Sequence, residues 1–309
     1  MPSPRPAGMR IAIIGSGFSG IGMAIRLKRL GYASLSIYEA AGELGGTWRD
    51  NVYPGAACDV PSHLYSFSFE ANPAWSRAFS HQPEILAYLK HCARKYQVDS
   101  AIQFNARVTA ARFDEVRLVW LLDIARNGVH ETVEADVVIA ASGPLSRPAM
   151  PRIDGLDSFS GKIFHSARWD HAYPLEGKRV AVIGTGASAI QFVPQIQPRV
   201  AELLLFQRTA PWIMPKPDKP ISDRARWLFK HLPFTQRCVR NAIYWQMESR
   251  GIAFFVNPRL ANPAMKFALS YLERRVKDPA LRAKVTPDYR LGCKRVLLSS
   301  DYYPALRQS

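Results

Sequence analysis

Arg10-Ile-Ala-Ile-Ile-Gly15-Ser-Gly-Phe-Ser-Gly20 joins a short apolar run to a glycine-rich turn. Arg10 to Ile14 is a short, largely apolar and β-branched run, the composition of a parallel strand buried on both faces. Gly15 permits the tight turn, Gly17 lets a phosphate approach the main chain, and Gly20 lets the next helix lie close on the strand. Phe18 and Ser19 complete the turn, where the unpaired N–H groups of a helix N-terminus hold an anion. A helical pattern runs from Ile21 to Leu30 and stops at Gly31. A second strand, Leu35 to Tyr38, ends in Glu39, about 20 residues past Gly20, the offset at which an acid accepts a ribose 2′-hydroxyl. A GxGxxG alone is only a common turn. Strand, turn, helix, strand and acid together read as a whole dinucleotide-binding unit.

The unit recurs. Lys178 to Ile183 reads as a strand, and Gly184-Thr-Gly-Ala-Ser-Ala189 as its turn, with Ala189 in the place of the third glycine. A helix, Ile190 to Ile196, carries an internal Pro194 and leads to a strand at Leu203 to Gln207. Arg208 stands as far from Ala189 as Glu39 does from Gly20. A carboxylate repels a 2′-phosphate and a guanidinium clamps one bidentately, so the first site is expected to take FAD or NAD and the second NADPH. Arg208 as a merely solvated strand end remains the alternative. The second candidate site comprises Gly184, Thr185, Gly186, Ser188, Ala189, Arg208 and Thr209. Between the units, Ala135 to Gly143 reads as a buried strand returning to the first sheet, and the three prolines of Pro144 to Pro151 mark a linker. The expected fold is α/β, with two Rossmann-like dinucleotide-binding domains over 1–150 and 151–309. Each is expected to hold a doubly wound parallel sheet in three layers. Two such sites suggest electron transfer from a nicotinamide to a flavin.

Composition agrees with a globular chain of two domains: 309 residues, 48% hydrophobic and 21% charged. The formal net charge is +16, and 17 basic against 6 acidic residues fall between Pro220 and Ser309. No Lys/Arg run with interleaved aromatics and no zinc-finger or RNA-binding signature accompanies that charge, so no nucleic-acid partner is expected. Cys58, Cys92, Cys238 and Cys293 lie far apart, without CxxC or metal-ligand spacing. They are expected to be reduced thiols of a cytoplasmic protein that holds no metal. Met1 to Arg10 is Pro-rich and lacks the apolar core of a signal peptide. Val180 to Pro198 is uncharged, but its two glycines and two prolines fit a strand, turn and helix better than a membrane span.

Phe159-Ser-Gly-Lys-Ile-Phe-His-Ser-Ala-Arg-Trp-Asp170 fits FxGxxxHxxxW(P/D) and resembles the fingerprint of the Baeyer–Villiger monooxygenases, class B flavoproteins. Flavin N- and S-oxygenases end a similar pattern in Phe or Tyr, so Trp169 favours the Baeyer–Villiger branch. The resemblance continues at Gly45-Gly-Thr-Trp48, Tyr53-Pro-Gly-Ala-Ala-Cys-Asp59, Ala141-Ser-Gly143, Gln207-Arg-Thr209 and Cys293-Lys-Arg295. Asp50 to Phe69 looks most like the branch acting on acetophenone-type and other ketones. The resemblance implies FAD and NADPH, reduction of the flavin by NADPH, and addition of O2 to give a C4a-peroxyflavin that converts a ketone to an ester or lactone.

A peroxide anion needs a permanent cation beside it, and Arg, unlike Lys, cannot hand it a proton. The family's arginine maps onto Arg295, and the acid that holds it onto Asp59. Asp59 as a turn cap after Gly55 stays open. Lys294 maps onto the residue that assists Arg208 at the 2′-phosphate. A solvated basic face is the other reading of Lys294 and Arg295. Thr47, Trp48 and Tyr65 map onto flavin contacts, Trp48 chiefly filling space. His165 and Trp169 read as positional, since the chemistry requires no base at the carbonyl.

The family's chain returns after the nicotinamide domain to finish the flavin sheet, so residues 1–150 are expected to form a flavin domain without its closing segment. Arg224 to Tyr271 carries aromatics at helical spacing among Arg and Lys, read as a helical insertion over about 220–290 of the second domain. A basic amphipathic surface touching anionic lipid is the alternative, without stable membrane insertion. The expected partners are a small ketone or heteroatom substrate and O2. N- or S-oxygenation, or an inactive nucleotide-binding fragment, are the competing functions.

Overall fold

Strand β1 (Ile11–Ile14) is shielded on both faces, as its apolar run predicts, with Ile13 wholly hidden. The computed structural model, which describes residues 8–255 and 257–308, continues from β1 through the glycine turn into α1 (Phe18–Arg29). This helix begins ahead of the apolar periodicity, because Phe18, Ser19 and Gly20 already take helical conformation. It buries Gly20, Ile21, Ala24 and Ile25, and Gly31 turns left-handed just beyond it at φ +90°. Strand β2 (Leu35–Tyr38) lies parallel to β1, with Ile11 opposite Leu35 and Ile14 opposite Tyr38. After α2 (Thr47–Asp50) and α3 (Gln82–Lys95), the short β3 (Ile102–Gln103) joins β2 in parallel.

Strands β4 (Ala106–Asp114), β5 (Val119–Arg126) and β6 (Val129–Ala135) then form an antiparallel meander. Strand β7 (Val137–Ala140) returns along β1, giving the parallel order β3-β2-β1-β7. Arg10 ties the start of β1 to the entry of β7 through Asp136 (2.8 Å) and Glu134 (2.9 Å). The expectation of a buried strand near Ala135–Gly143 holds for its position but not its cover. β7 is half-buried, because it is the last strand on its side of the sheet among the described residues.

The second repeat consists of β8 (Arg179–Ile183), α4 (Ala189–Ile196) and β9 (Glu202–Phe206), with β8 and β9 parallel and Ile183 opposite Phe206. The chain continues as β10 (Ile213–Met214), α5 (Asp223–His231), α6 (Pro233–Phe255), α7 (Asn262–Arg275) and α8 (Pro279–Val285). It ends in β11 (Leu297–Leu298), parallel to β10, and α9 (Tyr302–Ala305). Ile190, Val193 and Ile196 of α4 share a core with Val182, Tyr271, Leu272 and Tyr302. The α/β class and the parallel strand–helix–strand repeats stand. The three-layer arrangement does not extend to the second repeat: among the described residues its sheet has two strands. Val182, Leu203 and Leu205 face the core, while Ile183 and Phe206 are each 55% exposed on the other face.

By its contacts the chain divides into two units, Met1–Val52 with Pro83–Arg168, and Tyr53–Gln82 with Trp169–Ser309. The expected split at 150 is therefore displaced in two places. Residues 53–82 join the later unit because Tyr53 packs edge-on against Phe192 (6.0 Å), Arg77 pairs with Asp218 (2.9 Å), and Ala78 N–H donates to the Lys219 carbonyl (2.9 Å). Residues 151–168 stay with the earlier unit, so the boundary falls between Arg168 and Trp169, inside the Phe159–Asp170 pattern. The basic segment after Pro220 is helical as expected. It buries Phe229 and Gln236 and leaves Trp227, Phe234 and Trp245 exposed. Among the described residues no helix is long and apolar enough to cross a membrane.

A Cβ added at Gly20 would lie 1.9 Å from the Gly15 carbonyl oxygen, a backbone atom that cannot step aside. Gly20→Ala is expected to cost about 3 kcal/mol or more. Ala189→Gly, at the matching place in the second repeat, is expected to cost less than about 1 kcal/mol. Urea unfolding of the two variants measures both, and equal losses would contradict the role given to Gly20.

Candidate functional site

At the first turn Gly15 has φ +104°, a conformation that favours glycine, and its N–H donates to the Tyr38 carbonyl at 2.8 Å. A Cβ there would lie 2.7 Å from the Ala141 carbonyl oxygen, since the chain leaving β7 passes directly over it. Gly17 precedes α1 with no side-chain cap, and no acid stands in the first turn, so the leading N–H groups of the helix keep their capacity for an anion.

Glu39 turns back onto this turn. Its Oε2 accepts from Ser16 N–H (3.0 Å) and Oγ (2.7 Å), and its Oε1 from Ala41 N–H (3.0 Å) and Arg49 Nη1 (2.8 Å). Four donors match the acceptor capacity of a carboxylate. Burial works to raise the Glu39 pKa, but the bonds from Ser16, Ala41 and Arg49 outweigh it and the net shift is downward. Thr47 opens α2, and Trp48 beside it is 9% exposed, in keeping with packing. Arg49 of the same short helix is the partner of Glu39 that the sequence reading did not single out.

The second turn repeats the first in backbone. Gly184 also has φ +104°, and its N–H donates to the Phe206 carbonyl at 2.9 Å. Thr185 Oγ1 reaches the Thr209 carbonyl (3.4 Å), and Ser188 precedes α4 without capping it. A Cβ at Gly184 or Gly186 meets nothing within 4 Å: among the described residues no segment crosses this turn as the chain after β7 crosses the first.

The count from the third turn position misplaces one residue. Gly15 bonds to Tyr38 and is followed across the sheet by Glu39, whereas Gly184 bonds to Phe206 and is followed by Gln207. The structural counterpart of Glu39 is therefore Gln207, whose Nε2 donates to the Lys284 carbonyl (2.8 Å). Arg208 lies one residue further on, because the second repeat spends one residue fewer between its first glycine and the strand position that glycine bonds to. Arg208 is exposed, has no hydrogen-bond or ion-pair partner among the described residues, and lines a cavity of about 810 Å³ with Leu203, Leu205, Gln207, Thr209 and Lys284.

Asp59 and Arg295, more than two hundred positions apart, meet as an ion pair between Arg295 Nη2 and Asp59 Oδ2. Arg295 is placed by β11, which starts at Leu297 beside Ile213, and by the Leu297 N–H bond to the Trp212 carbonyl (2.9 Å). Its side chain is 62% exposed and that of Asp59 is 21% exposed, so the cation is the more accessible member. Asp59 belongs to a loop held from two directions. Cys58 N–H donates to the Ser80 carbonyl (2.9 Å), and the Gln191 side chain of α4 grips Ala57 on both its N–H and its carbonyl. Lys294 does not join Arg208. Its ammonium lies 4.5 Å from the Tyr289 ring centre, and it makes no ion pair among the described residues.

Tyr65 follows a segment fastened to α6, where Arg240 Nη1 donates to the His63 (2.7 Å) and Leu64 (3.1 Å) carbonyls. Gln236 Nε2 lies 3.0 Å from His63 Nδ1 and donates to the Asn72 carbonyl (2.7 Å). Within the Phe159–Asp170 pattern, His165 Nδ1 accepts from Ala167 N–H (3.0 Å), and the Trp169 ring lies 5.1 Å from that of Phe192 on α4. Neither contact involves proton transfer. Sequence reading missed Gln191, Gln236 and Arg240: Gln191 follows the Gly184–Ala189 turn but reads as an ordinary polar residue of its helix, and Gln236 and Arg240 lie on α6 with no motif around them.

Residues 8–220 match the family described as flavin-binding monooxygenase-like. The chain belongs to this family. It is 52% identical over 306 residues to a Baeyer-Villiger monooxygenase of Pseudomonas aeruginosa, covering 98% of this chain and 58% of that protein. Among solved structures it resembles an oxidised steroid monooxygenase bound to NADP, with TM-score 0.85, 33% identity and 97% of this chain on 64% of that one. It also resembles OTEMO in complex with FAD and NADP, with TM-score 0.82, 31% identity and 99% of this chain on 65% of that one. The chain thus spans less than two thirds of the length of each.

Burial and the nearby Arg240 guanidinium push the His63 pKa below its ordinary 6.5. A histidine lowered in the folded state costs nothing above its unfolded pKa and withdraws stability as pH falls below it. The protein is therefore expected to lose stability from about pH 6.5 downward, and His63→Gln to flatten that dependence. Melting curves at about pH 7.5 and about pH 5.5 measure the difference.

Proposed function

We propose that the protein is an NADPH- and FAD-dependent monooxygenase that inserts one oxygen atom of O2 into a ketone, giving an ester or lactone. The observation that carries this reading is the Arg295–Asp59 pair. A guanidinium stays charged at any physiological pH, so it can face an anion at the reacting centre without giving up a proton. Asp59 holds that guanidinium in place and offsets part of its charge, yet leaves it accessible. The Baeyer-Villiger name of the P. aeruginosa relative and the NADP of the steroid monooxygenase structure support the same reading.

The residues fit the two nucleotides. For FAD, the uncapped start of α1, the glycine backbone at Gly15 and Gly17, and the Glu39 carboxylate would make the cradle, with Phe18, Ser19, Gly20, Thr47 and Trp48 as further candidate contacts. To accept a ribose hydroxyl, Glu39 would give up one of its side-chain donors, Ser16 Oγ or Arg49 Nη1. For NADPH, Gly184, Thr185, Gly186, Ser188 and Ala189 hold the pyrophosphate. Arg208, unpaired among the described residues, beside its cavity and next to Thr209, would clamp the 2′-phosphate. Lys294 adds positive charge in the same unit. Flavin reduced by the nicotinamide supplies the activation of O2. His165 moves no proton in this scheme.

Arg208→Ala is expected to weaken NADPH binding about 10- to 100-fold while leaving NADH unchanged. Titration with the two nucleotides reads this directly, and an equal loss for both would contradict the phosphate clamp. Arg295→Ala is expected to abolish ester formation while NADPH oxidation continues. Unimpaired ester formation, assayed by gas chromatography against NADPH consumed, would overturn the role of Arg295.

A further inference from the structure

We propose that Gln191 is a positioning residue that sets the Asp59–Arg295 pair, by clamping the Tyr53–Asp59 loop onto α4. This inference rests on the function proposed above only for its catalytic consequence; the clamp itself is a matter of geometry. Gln191 Oε1 accepts from the Tyr53 hydroxyl (3.0 Å) and from Ala57 N–H (3.3 Å), and its Nε2 donates to the Ala57 carbonyl (2.9 Å). One side-chain amide thus pairs both backbone groups of Ala57 in the manner of a strand partner, two residues before Asp59. Burial raises the Tyr53 pKa, so its hydroxyl keeps the proton it donates. Gly55 shows how closely the loop lies on the helix: at φ +78°, a Cβ there would stand 2.9 Å from both the Gln191 carbonyl oxygen and Gln195 Cγ.

The arrangement couples two features that the sequence keeps far apart. Gln191 sits in the opening of the helix whose N-terminus follows the Gly184–Ala189 turn. The loop it grips ends in the carboxylate that orients Arg295. The nicotinamide-side helix therefore fixes where the arginine is held, and the position of the guanidinium is not left to the loop. The loop has further fastenings, Cys58 N–H to the Ser80 carbonyl and Gln82 N–H to the Ala56 carbonyl (2.9 Å each) and Ser62 N–H to the Ala78 carbonyl (2.8 Å), but among the described residues both backbone groups of Ala57 are held by the Gln191 amide. Removal of the amide leaves the Ala57 carbonyl and N–H without partners and takes from the Tyr53 hydroxyl the acceptor it donates to, with Ser188 as its remaining partner.

Cys58 supplies a readout independent of turnover. Its thiol is 4% exposed and pushed up to about 11 by burial, so it reacts only when the loop opens. In Gln191→Met, which keeps length and removes all three bonds, Cys58 is expected to be alkylated about tenfold faster, followed on its own peptide by mass spectrometry. Gln191→Glu keeps the two acceptor bonds and should fall between Q191M and the parent. In the same Q191M protein the share of NADPH consumption that ends in ester is expected to drop about tenfold with KM for NADPH unchanged. An unchanged Cys58 rate in Q191M overturns the clamp. A faster Cys58 with full ester yield, in a protein where Arg295→Ala abolishes ester, overturns the positioning role. A melting temperature lowered with neither readout moved assigns Gln191 to stability alone and also overturns it. Should the Arg295→Ala protein still form ester, the functional reading fails, and the Cys58 rate decides the clamp by itself.

Discussion

Close approach of a helix to the strand that precedes it is the constraint on which the nucleotide turns depend. With 1.9 Å between a hypothetical Gly20 Cβ and the Gly15 carbonyl oxygen, α1 can lie where it does only because that residue has no side chain. The helix starts just past Gly17, with its first N–H groups uncapped by a side chain. Glu39 then reaches across to Ser16 and stiffens the same turn from the strand side. The second repeat relaxes the constraint: Ala189 opens α4, nothing crowds Gly184, and the same +104° and the same amide-to-strand bond are reached without a covering chain.

Much of this was legible because it is local. The run Leu35–Tyr38 became a strand at the predicted bounds and Arg10–Ile14 one that starts a residue later, at Ile11, since short apolar runs flanking a glycine turn and helix admit few alternatives. Arg208 shows where counting fails. Equal spacing from the third turn position assumed equal paths, and a difference of one residue between turn and strand moved the Glu39 counterpart to Gln207. The meander at Ala106–Ala135 was not anticipated. Its β4 is mostly exposed, and a register shift between Val108 and Ala110 breaks the alternation that marks a half-buried strand.

Candidate catalytic residues were found by a different route. Asp59 and Arg295 carry no local signal; their pairing came from the resemblance of Tyr53–Asp59 and Cys293–Arg295 to a family pattern. The side chains that place them, Gln191 above all, could not be seen in that way, because a glutamine on a helix is ordinarily a solvated polar residue. Its function here exists only once Ala57 arrives from elsewhere in the chain. The same holds for Arg240, whose donors meet carbonyls of His63 and Leu64.

The path of the backbone has a consequence for how the protein is made. Tyr53–Gln82 is synthesised early but belongs with Trp169–Ser309, so the chain passes from one unit to the other three times. On the ribosome this early loop waits unsatisfied until Gln191, Asp218 and Arg240 have emerged, and the long loop closure delays its burial. Cutting the gene at a convenient midpoint would strand a β-rich half with an unclaimed arm, and a helical half without the arm that completes its core.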